Sequence, residues 1–389
     1  MTNYKEIINF IKSIYQNQNP VPLHPPVFMG KEKEYLIDCI DSTFVSYVGK
    51  YVTKFEKMTA EFTGAKYAVA VVNGTAALQI ALQVAGVRHG DEVITQPLTF
   101  VATANAISHC GANPVFVDVD LDTLGLSPEK LEEWLKHNTK PSKLTQHSQH
   151  FSKPINQSTN RPVSAIVPMH TFGFPCRINE IIEVANKYNI PVIEDSAESL
   201  GSYFNGKHTG TFGLAGILSY NGNKTITTGG GGMIITDDEE FAKKAKHITT
   251  TAKLPHKYEY VHDQIAYNYR LTNLNAAIGV AQMEQLDKFL ENKRQTAKMY
   301  QEFFNGSDIK FFNEPQNTRS NFWLNTILLK DLKERNEFLE YTNDNGVMTR
   351  PIWRLMNKLE MYKNCQCGNL DNSEWLEERT VNVPSGVRL

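Results

Sequence analysis

The sequence has little that is typical of secreted, membrane-bound or nucleic-acid-binding proteins. Its five cysteines are scattered and odd in number, which disfavours a disulfide framework and favours a reducing compartment. No apolar run reaches the roughly 18–20 residues that span a bilayer, and Lys5 and Glu6 interrupt the stretch that a secretory signal would need. With 40 basic and 42 acidic residues the net charge is −2, so no basic surface for nucleic acid is expected. These absences predict a cytoplasmic protein that binds neither membranes nor nucleic acid.

Metal-binding patterns are missing as well. Cys365 and Cys367 are separated by one residue instead of the two of a zinc knuckle, and no second pair follows. The histidines at 137, 147 and 150 lie in a polar stretch, 137–162, with no ligand spacing. We therefore predict no metal site, and we predict a solvated surface excursion for 137–162.

What the sequence does contain is an alternation of short apolar runs and helical patterns between Lys66 and Asp237, typical of an α/β fold with a mostly parallel sheet. Its length favours two domains. We predict an N-terminal helix and arm over 1–30, a large domain over 31–272 and a smaller α/β domain over 273–389, beginning with a long helix to about Glu291. The predicted strands are Ala68–Val72, Glu92–Gln96, Val115–Val119, Ser164–Pro168, Pro191–Glu194, Gly216–Tyr220 and Gly232–Thr236.

Two strand ends carry polar residues that could bind a ligand. Gly74 and Thr75 open a helix directly after a strand, and free N–H groups at a helix start favour an anion such as a phosphate. Alone, this pattern is also ordinary cap chemistry. Asp195 follows the strand that begins at Pro191, and in open α/β sheets ligands bind at that end of the strands.

A lysine supplies the third signal. Lys224 lies between a strand and four consecutive glycines, Gly229–Gly232, which would let a planar ligand approach the backbone. A lysine in such surroundings can act as an imine-forming nucleophile and proton carrier. An anion site, a carboxylate and a lysine are together what pyridoxal phosphate requires for its phosphate, its ring nitrogen and its aldehyde.

With these motifs the chain resembles the DegT/DnrJ/EryC1/StrS family of sugar aminotransferases, which have the aspartate aminotransferase (type I) fold. The resemblance extends from about Val21 to Ser385. It rests on six ordered motifs: Asn73-Gly-Thr-Ala-Ala, Thr99-Phe-Val-Ala-Thr, His170-Thr-Phe-Gly, Glu194-Asp-Ser-Ala, Asn223-Lys-Thr-Ile-Thr-Thr-Gly and Tyr267-Asn-Tyr-Arg-Leu-Thr.

The resemblance implies a role for each matching residue. Lys224 would bind the aldehyde of pyridoxal phosphate and move the proton, and Asp195 would pair with the ring nitrogen. Glu198 would lie near the cofactor's phenolic oxygen, and because two anionic oxygens repel, it would be protonated or face the substrate. The other expected cofactor contacts are Gly74, Thr75, Phe100 and Ser219, together with Asn268 reaching the neighbouring subunit's cofactor in a homodimer. Expected substrate contacts are His170, Arg350 and Trp353.

Within the family, the N-terminal extension and the sequence around Lys224 are similar to those of aminotransferases from the bacillosamine and legionaminic acid pathways. That similarity implies transfer from L-glutamate to C4 of a UDP-linked 4-keto-6-deoxy-N-acetylhexosamine, for bacterial surface glycans. A GDP- or dTDP-linked keto sugar is the alternative, and a non-catalytic regulator that binds the cofactor is a further one. Lys224 argues against the related sugar dehydratases, which resemble this chain but carry histidine there.

Overall fold

The computed structural model describes residues 4–141 and 153–389. Five of the described α-helices begin at a residue whose side chain accepts a hydrogen bond from the first helical turn: Asn73, Ser127, Asp238, Thr272 and Asp331. The α-helices are α1 (Tyr4–Ile14), α2 (Glu32–Asp41), α3 (Lys50–Thr63), α4 (Gly74–Val84), α5 (Val101–His109), α6 (Pro128–Asn138), α7 (Ile178–Lys187), α8 (Glu239–Thr249), α9 (Asn273–Met283), α10 (Leu286–Phe304), α11 (Leu332–Asp344) and α12 (Asp371–Glu377).

The strands are short, and most of those in the first two thirds of the chain are buried on both faces. They are β1 (Tyr67–Val71), β2 (Glu92–Thr95), β3 (Asn113–Phe116), β4 (Thr139–Lys140), β5 (Ile155–Asn156), β6 (Val163–Val167), β7 (Ile193–Asp195), β8 (Tyr203–Phe204), β9 (Lys207–His208), β10 (Ala215–Ser219), β11 (Gly232–Thr236), β12 (Lys310–Phe311), β13 (Thr318–Arg319), β14 (Asn325–Leu328), β15 (Arg350–Pro351) and β16 (Thr380–Val383).

A mixed sheet organises the first two thirds of the chain. Strands β1, β11, β10 and β7 pair in that order, as do β6, β2 and β3, and parallel bridges from Ile166 to Val192 and from Met169 to Asp195 join the two groups. Only β11 runs antiparallel to its neighbours. The carboxyl ends of β1, β7 and β10 therefore lie at one edge, where ligands bind in open α/β sheets.

A second sheet, β12-β14-β16-β15, is antiparallel and lies in the C-terminal third. Its core includes the N-terminal helix α1, whose buried Ile7 and Ile11 share one cluster with Tyr300 of α10 and Phe338 of α11. The N-terminal segment is thus packed on the C-terminal part of the chain, because its apolar residues recur at helical spacing on one face.

Most predicted elements are present, with two differences. The long helix predicted from Asn273 to Glu291 is two helices, α9 and α10, which meet at Glu284 and Gln285. Part of the stretch 137–162 is also packed against the chain, since β4 pairs with β5 and buried Asn156 donates hydrogen bonds to Glu92 and Gln366, whereas residues 157–161 are exposed as predicted. The histidines at 147 and 150 lie outside the described residues.

Among the described residues, no helix is both long and apolar enough to cross a membrane. Within the same ranges, no group of three or more His, Cys, Asp or Glu side chains is placed to hold a metal ion.

Candidate active site

The three motifs singled out in the sequence meet in one cavity at the carboxyl edge of the main sheet. The cavity encloses about 320 Å³. Eight predicted site residues line it: Gly74, Thr75, Phe100, Asp195, Glu198, Ser219, Lys224 and Trp353. They come together because β1, β7 and β10 end at the same edge of the sheet, and the loop or helix that follows each strand faces the same space.

One wall of the cavity is the start of α4. Asn73 caps this helix by accepting a hydrogen bond from Ala76 N at 2.8 Å, while the N–H groups of Gly74 and Thr75 belong to the first turn and have no acceptor within the helix. A Cβ on Gly74 would lie 3.0 Å from Cβ of Ser219, so glycine allows β10 and α4 to approach. Backbone donors, the helix dipole and two hydroxyl groups make this wall suited to a phosphate.

Asp195 ends β7 and is held in place on both carboxylate oxygens. Thr103 Oγ1 of α5 donates to Oδ2 at 2.7 Å, and the N–H of Ala197 donates to Oδ1 at 3.2 Å. Asp195 is only 5% exposed. These two hydrogen bonds hold the carboxyl group in place at the edge of the cavity, where it can pair with the protonated nitrogen of a heterocycle.

Lys224 projects into the cavity between a carboxylate and an aromatic ring. Its Nζ lies 3.1 Å from Glu198 Oε1 and 4.0 Å from the centre of the Trp323 ring. The side chain is 11% exposed and lines the cavity, so the amine is largely shielded from solvent. Because both neighbours stabilise an ammonium group, they hold Nζ at one position.

Glu198 is the buried partner of this lysine. Its Oε2 accepts a hydrogen bond at 2.9 Å from the N–H of Phe172, a residue in the left-handed region (φ 56°). Burial raises the pKa of Glu198 to about 7; Lys224 and the Phe172 N–H oppose the rise, whereas the charge of Asp195 adds to it. Glu198 can therefore gain or lose a proton near neutral pH while it faces Lys224.

Three predicted site residues lie away from this cavity. His170 is fully buried, contacts Glu194 through Nε2 at 3.0 Å and accepts from Cys176 N through Nδ1, so its position does not support the predicted substrate contact. Arg350 is exposed and bonded to Asn343, which likewise differs from the predicted pocket position. Asn268 is exposed and outside the cavity of its own chain.

The glycine run also differs from its predicted use. Gly229–Gly232 does not line the cavity. A Cβ on Gly232 would lie 2.4 Å from the backbone of Asn73, and one on Gly231 would lie 2.3 Å from Thr228 Oγ1. These glycines therefore let β11 pass close to the start of α4, instead of admitting a ligand.

Two tryptophans complete the cavity. Trp353, predicted as a pocket residue, lies 6.0 Å from the Phe100 ring and 4.8 Å from that of Phe172. Trp323 was not predicted, because it lies about a hundred positions after Lys224 in a segment with no motif. The structure brings its ring over Lys224 and lets its Nε1 donate to Asn223 O at 2.6 Å.

Comparison with known proteins identifies this arrangement. Residues 28–389 match the DegT/DnrJ/EryC1/StrS aminotransferase family. The chain belongs to this family. It is 38% identical over 365 residues to the GDP-perosamine synthase of Escherichia coli O157:H7 (94% of this chain, 93% of that protein), and 35% identical over 370 residues to that of Vibrio cholerae (94% of each). A solved structure, the aminotransferase TlmJ from Streptoalloteichus hindustanus, aligns with a TM-score of 0.82 at 25% identity, covering 94% and 93% of the two chains.

Membership confirms the predicted family, fold class and enzyme class. The DegT/DnrJ/EryC1/StrS protein described here is a pyridoxal-phosphate-dependent aminotransferase. The cavity fits that cofactor, since an anion-binding helix start, a buried carboxylate and an enclosed lysine amine all face one space. Phe100 and the two tryptophans add apolar walls for a planar ring.

Proposed function

We propose that this aminotransferase moves an amino group from L-glutamate to C4 of a GDP-linked 4-keto-6-deoxy sugar. The observation that supports it is the similarity, over 94% of the chain, to two proteins named GDP-perosamine synthase. Perosamine is a 4-amino-4,6-dideoxy sugar, so its nucleotide form is the product of such a transfer.

The nucleotide is where this proposal departs from the sequence-based expectation of UDP. That expectation rests on the N-terminal extension and on the amino-acid sequence around Lys224. The extension, however, forms α1 and packs on α10 and α11, so it serves the core of the fold. This supports no particular nucleotide, and similarity along the whole chain carries more weight.

Residue roles follow from the positions in the cavity. Gly74, Thr75 and Ser219 would hold the phosphate of pyridoxal phosphate, Asp195 its ring nitrogen, and Phe100 one face of its ring. The cofactor, when bound, supplies an electron-accepting ring beside the carbon that loses a proton. Lys224 would carry that proton through Nζ and return it, and the enclosed cavity limits exchange with water.

Glu198 would keep the charge of the site balanced during this transfer. When Lys224 Nζ is an ammonium group, the carboxylate 3.1 Å away stabilises it. When Nζ has given up its proton, an ionised Glu198 would be left buried without a cation, and a pKa of about 7 lets it take up a proton instead.

We also propose that the enzyme acts as a homodimer with shared sites. Asn268 is exposed and outside its own cavity, which leaves it free to reach a second subunit. Large apolar side chains are exposed together in one stretch, a feature that marks association surfaces: Phe28, Met29, Ile37, Ile40, Phe44, Val45, Tyr47 and Val48.

An absorbance titration tests the proposal. The enzyme loaded with pyridoxal phosphate should lose its yellow colour with glutamate and regain it with the GDP-linked 4-keto-6-deoxy sugar. Recovery only with a UDP- or dTDP-linked sugar would overturn the nucleotide assignment. Colour that never responds to glutamate or to any sugar would favour the regulator instead.

A further inference from the structure

A buried lysine outside the cavity, Lys293 of α10, has no part in the chemistry described so far. It is 1% exposed, and its Nζ contacts three groups: His24 Nε2 at 2.8 Å, Trp323 O at 3.1 Å and Ser385 O at 2.6 Å. These partners come from the N-terminal arm, the segment before β14 and the C-terminal segment. One amine therefore joins three distant parts of the chain below the active site.

The three partners match the donors of a lysine. An ammonium group has three N–H donors and no acceptor, and two of its partners here are carbonyl oxygens, which only accept. Burial lowers the pKa of Lys293 and that of His24 well below their ordinary values, and the charge of Lys293 lowers that of His24 further. Burial of a lysine amine is costly unless hydrogen bonds compensate, and the three partners of Lys293 supply them.

Trp323 is where these contacts meet the active site. All of its polar groups are engaged: its backbone N–H donates to Asn321 Oδ1 at 2.8 Å, its carbonyl accepts from Lys293, and its indole N–H donates to Asn223 O at 2.6 Å. Its ring then lies 4.0 Å from Lys224 Nζ. The indole thus fixes both the backbone before Lys224 and the amine at the end of that side chain.

We propose that Lys293 is a positioning residue that holds Trp323 against Lys224 and so keeps the Lys224 amine enclosed beside Glu198. The inference rests on the proposed role of Lys224 in catalysis. It goes beyond that role, because Lys293 contacts neither the cavity nor Lys224 itself. Through its contacts with His24 and Ser385, Lys293 also links Trp323 to the N-terminal arm and to the C-terminal segment.

The test measures how accessible the Lys224 amine is in the full chain without cofactor. Reductive methylation followed by peptide mass spectrometry gives the labelling rate of Lys224 relative to Lys57, whose side chain is 73% exposed. In Lys293→Met the relative rate should rise about tenfold, because the Trp323 carbonyl loses its hydrogen bond to Lys293 and the indole is no longer held in place. A rate within twofold of the wild type would overturn the proposal.

A matched variant separates positioning from general loss of stability. Phe338→Leu would leave a void in the same C-terminal core, but Phe338 lies on α11 and makes none of the hydrogen bonds that hold Trp323. It should leave the labelling of Lys224 unchanged at a temperature where both variants stay folded. An equal rise in both variants would contradict a specific role for Lys293.

A second variant keeps the test decisive if Lys293→Met does not fold. His24→Ala retains Lys293 and both carbonyl acceptors but removes the third partner, so labelling of Lys224 should rise by a smaller factor; no rise would overturn the proposal. The outcome is independent of the sugar titration, since labelling needs neither cofactor nor substrate. A failed titration with this labelling contrast intact would refute the proposed function and leave the positioning role standing.

Discussion

At the scale of single residues, the site depends on how two buried charges are paired. Lys224 and Glu198 lie 3.1 Å apart with side-chain exposures of 11% and 1%, so each charge relies on the other. Asp195, by contrast, is bound by Thr103 and by the Ala197 backbone and does not depend on the lysine. Glu198, with a pKa of about 7, can therefore gain or lose a proton without removing a hydrogen-bond partner of Asp195.

Replacing Lys224 tests the proposed proton carrier. Lys224→Ala should slow the glutamate half-reaction by at least about 10³-fold, because removal of a positioned acid–base group costs that much. Stopped-flow absorbance of the loaded enzyme measures this rate. A variant that turned over at the wild-type rate would show that another group moves the proton.

The raised pKa of Glu198 predicts a dependence of stability on pH. A carboxyl group whose folded pKa is about 7, against 4.5 for an ordinary glutamate, binds its proton more tightly when folded, so it stabilises the fold below pH 4.5 and loses this contribution as pH rises to 7. The free energy of unfolding of the wild type, minus that of Glu198→Gln, should therefore fall by up to about 3 kcal/mol as pH rises across that interval. Urea unfolding of the cofactor-free protein measures the difference, and a difference that is flat or rises with pH would contradict the assignment.

The sequence predicts those site residues that belong to a motif. It does not predict those that reach the site only through tertiary contacts. Gly74, Asp195 and Lys224 each follow a predicted strand, and strand ends of a parallel sheet converge. His170 belongs to an equally distinct motif, yet its ring turns to Glu194 below the sheet edge. Trp323 and Lys293 have no motif, and only the packing of the C-terminal part against the main sheet reveals them.

At the scale of elements, close packing of α4, β10 and β11 builds the phosphate wall. Gly74 allows α4 to meet Ser219, and Gly232 allows β11 to pass Asn73. For Gly232 the sequence suggests the approach of a ligand, whereas the structure shows the approach of the Asn73 backbone, a neighbour that the sequence does not reveal. The break between α9 and α10 was missed for a related reason: apolar spacing continues through Glu284 and Gln285, where the helix ends.

A methyl group at Gly74 should weaken cofactor binding. The new Cβ would lie 3.0 Å from Cβ of Ser219, and overpacking of this kind costs about 1 kcal/mol or more. We expect Gly74→Ala to raise the dissociation constant of pyridoxal phosphate about fivefold to tenfold in an absorbance titration.

Gly230→Ala is the control, because its added Cβ would meet nothing closer than Val72 O at 3.9 Å. Its dissociation constant should stay within twofold of the wild type. If cofactor binding were weakened equally in both variants, the cause would be the loss of glycine flexibility and not crowding at α4.

At the scale of the whole molecule, the sequence predicts most of the topology of the main sheet, and the homodimer stays a prediction. The alternation of strands and helices predicts a parallel sheet, and only the antiparallel direction of β11 and the separate C-terminal sheet needed the structure. The spacing of apolar residues in the sequence does not predict that the apolar side chains between residues 28 and 48 are exposed, because α2 has no clear apolar face towards its own chain.

A charge in this apolar surface should separate the subunits. Ile40 is 62% exposed on α2, and a carboxylate there would be buried without a partner in the proposed homodimer. Ile40→Glu should therefore sediment as a monomer at concentrations where the wild type is a dimer. Met361→Glu, at a side chain 61% exposed and outside that stretch, should leave the dimer intact; a wild type that is itself monomeric would refute the shared site.

The most direct test of the account is a competition for labelled nitrogen. The enzyme receives nitrogen-15 glutamate and an equimolar mixture of GDP-, UDP- and dTDP-linked 4-keto-6-deoxy sugars, and mass spectrometry follows the label into each product. We expect the GDP-linked amino sugar to form at least about tenfold faster than the others, and Lys224→Ala to form it at least about 10³-fold more slowly than the wild type. Preferential labelling of the UDP- or dTDP-linked sugar would contradict the proposed substrate, and labelling at the wild-type rate in Lys224→Ala would contradict the proposed site.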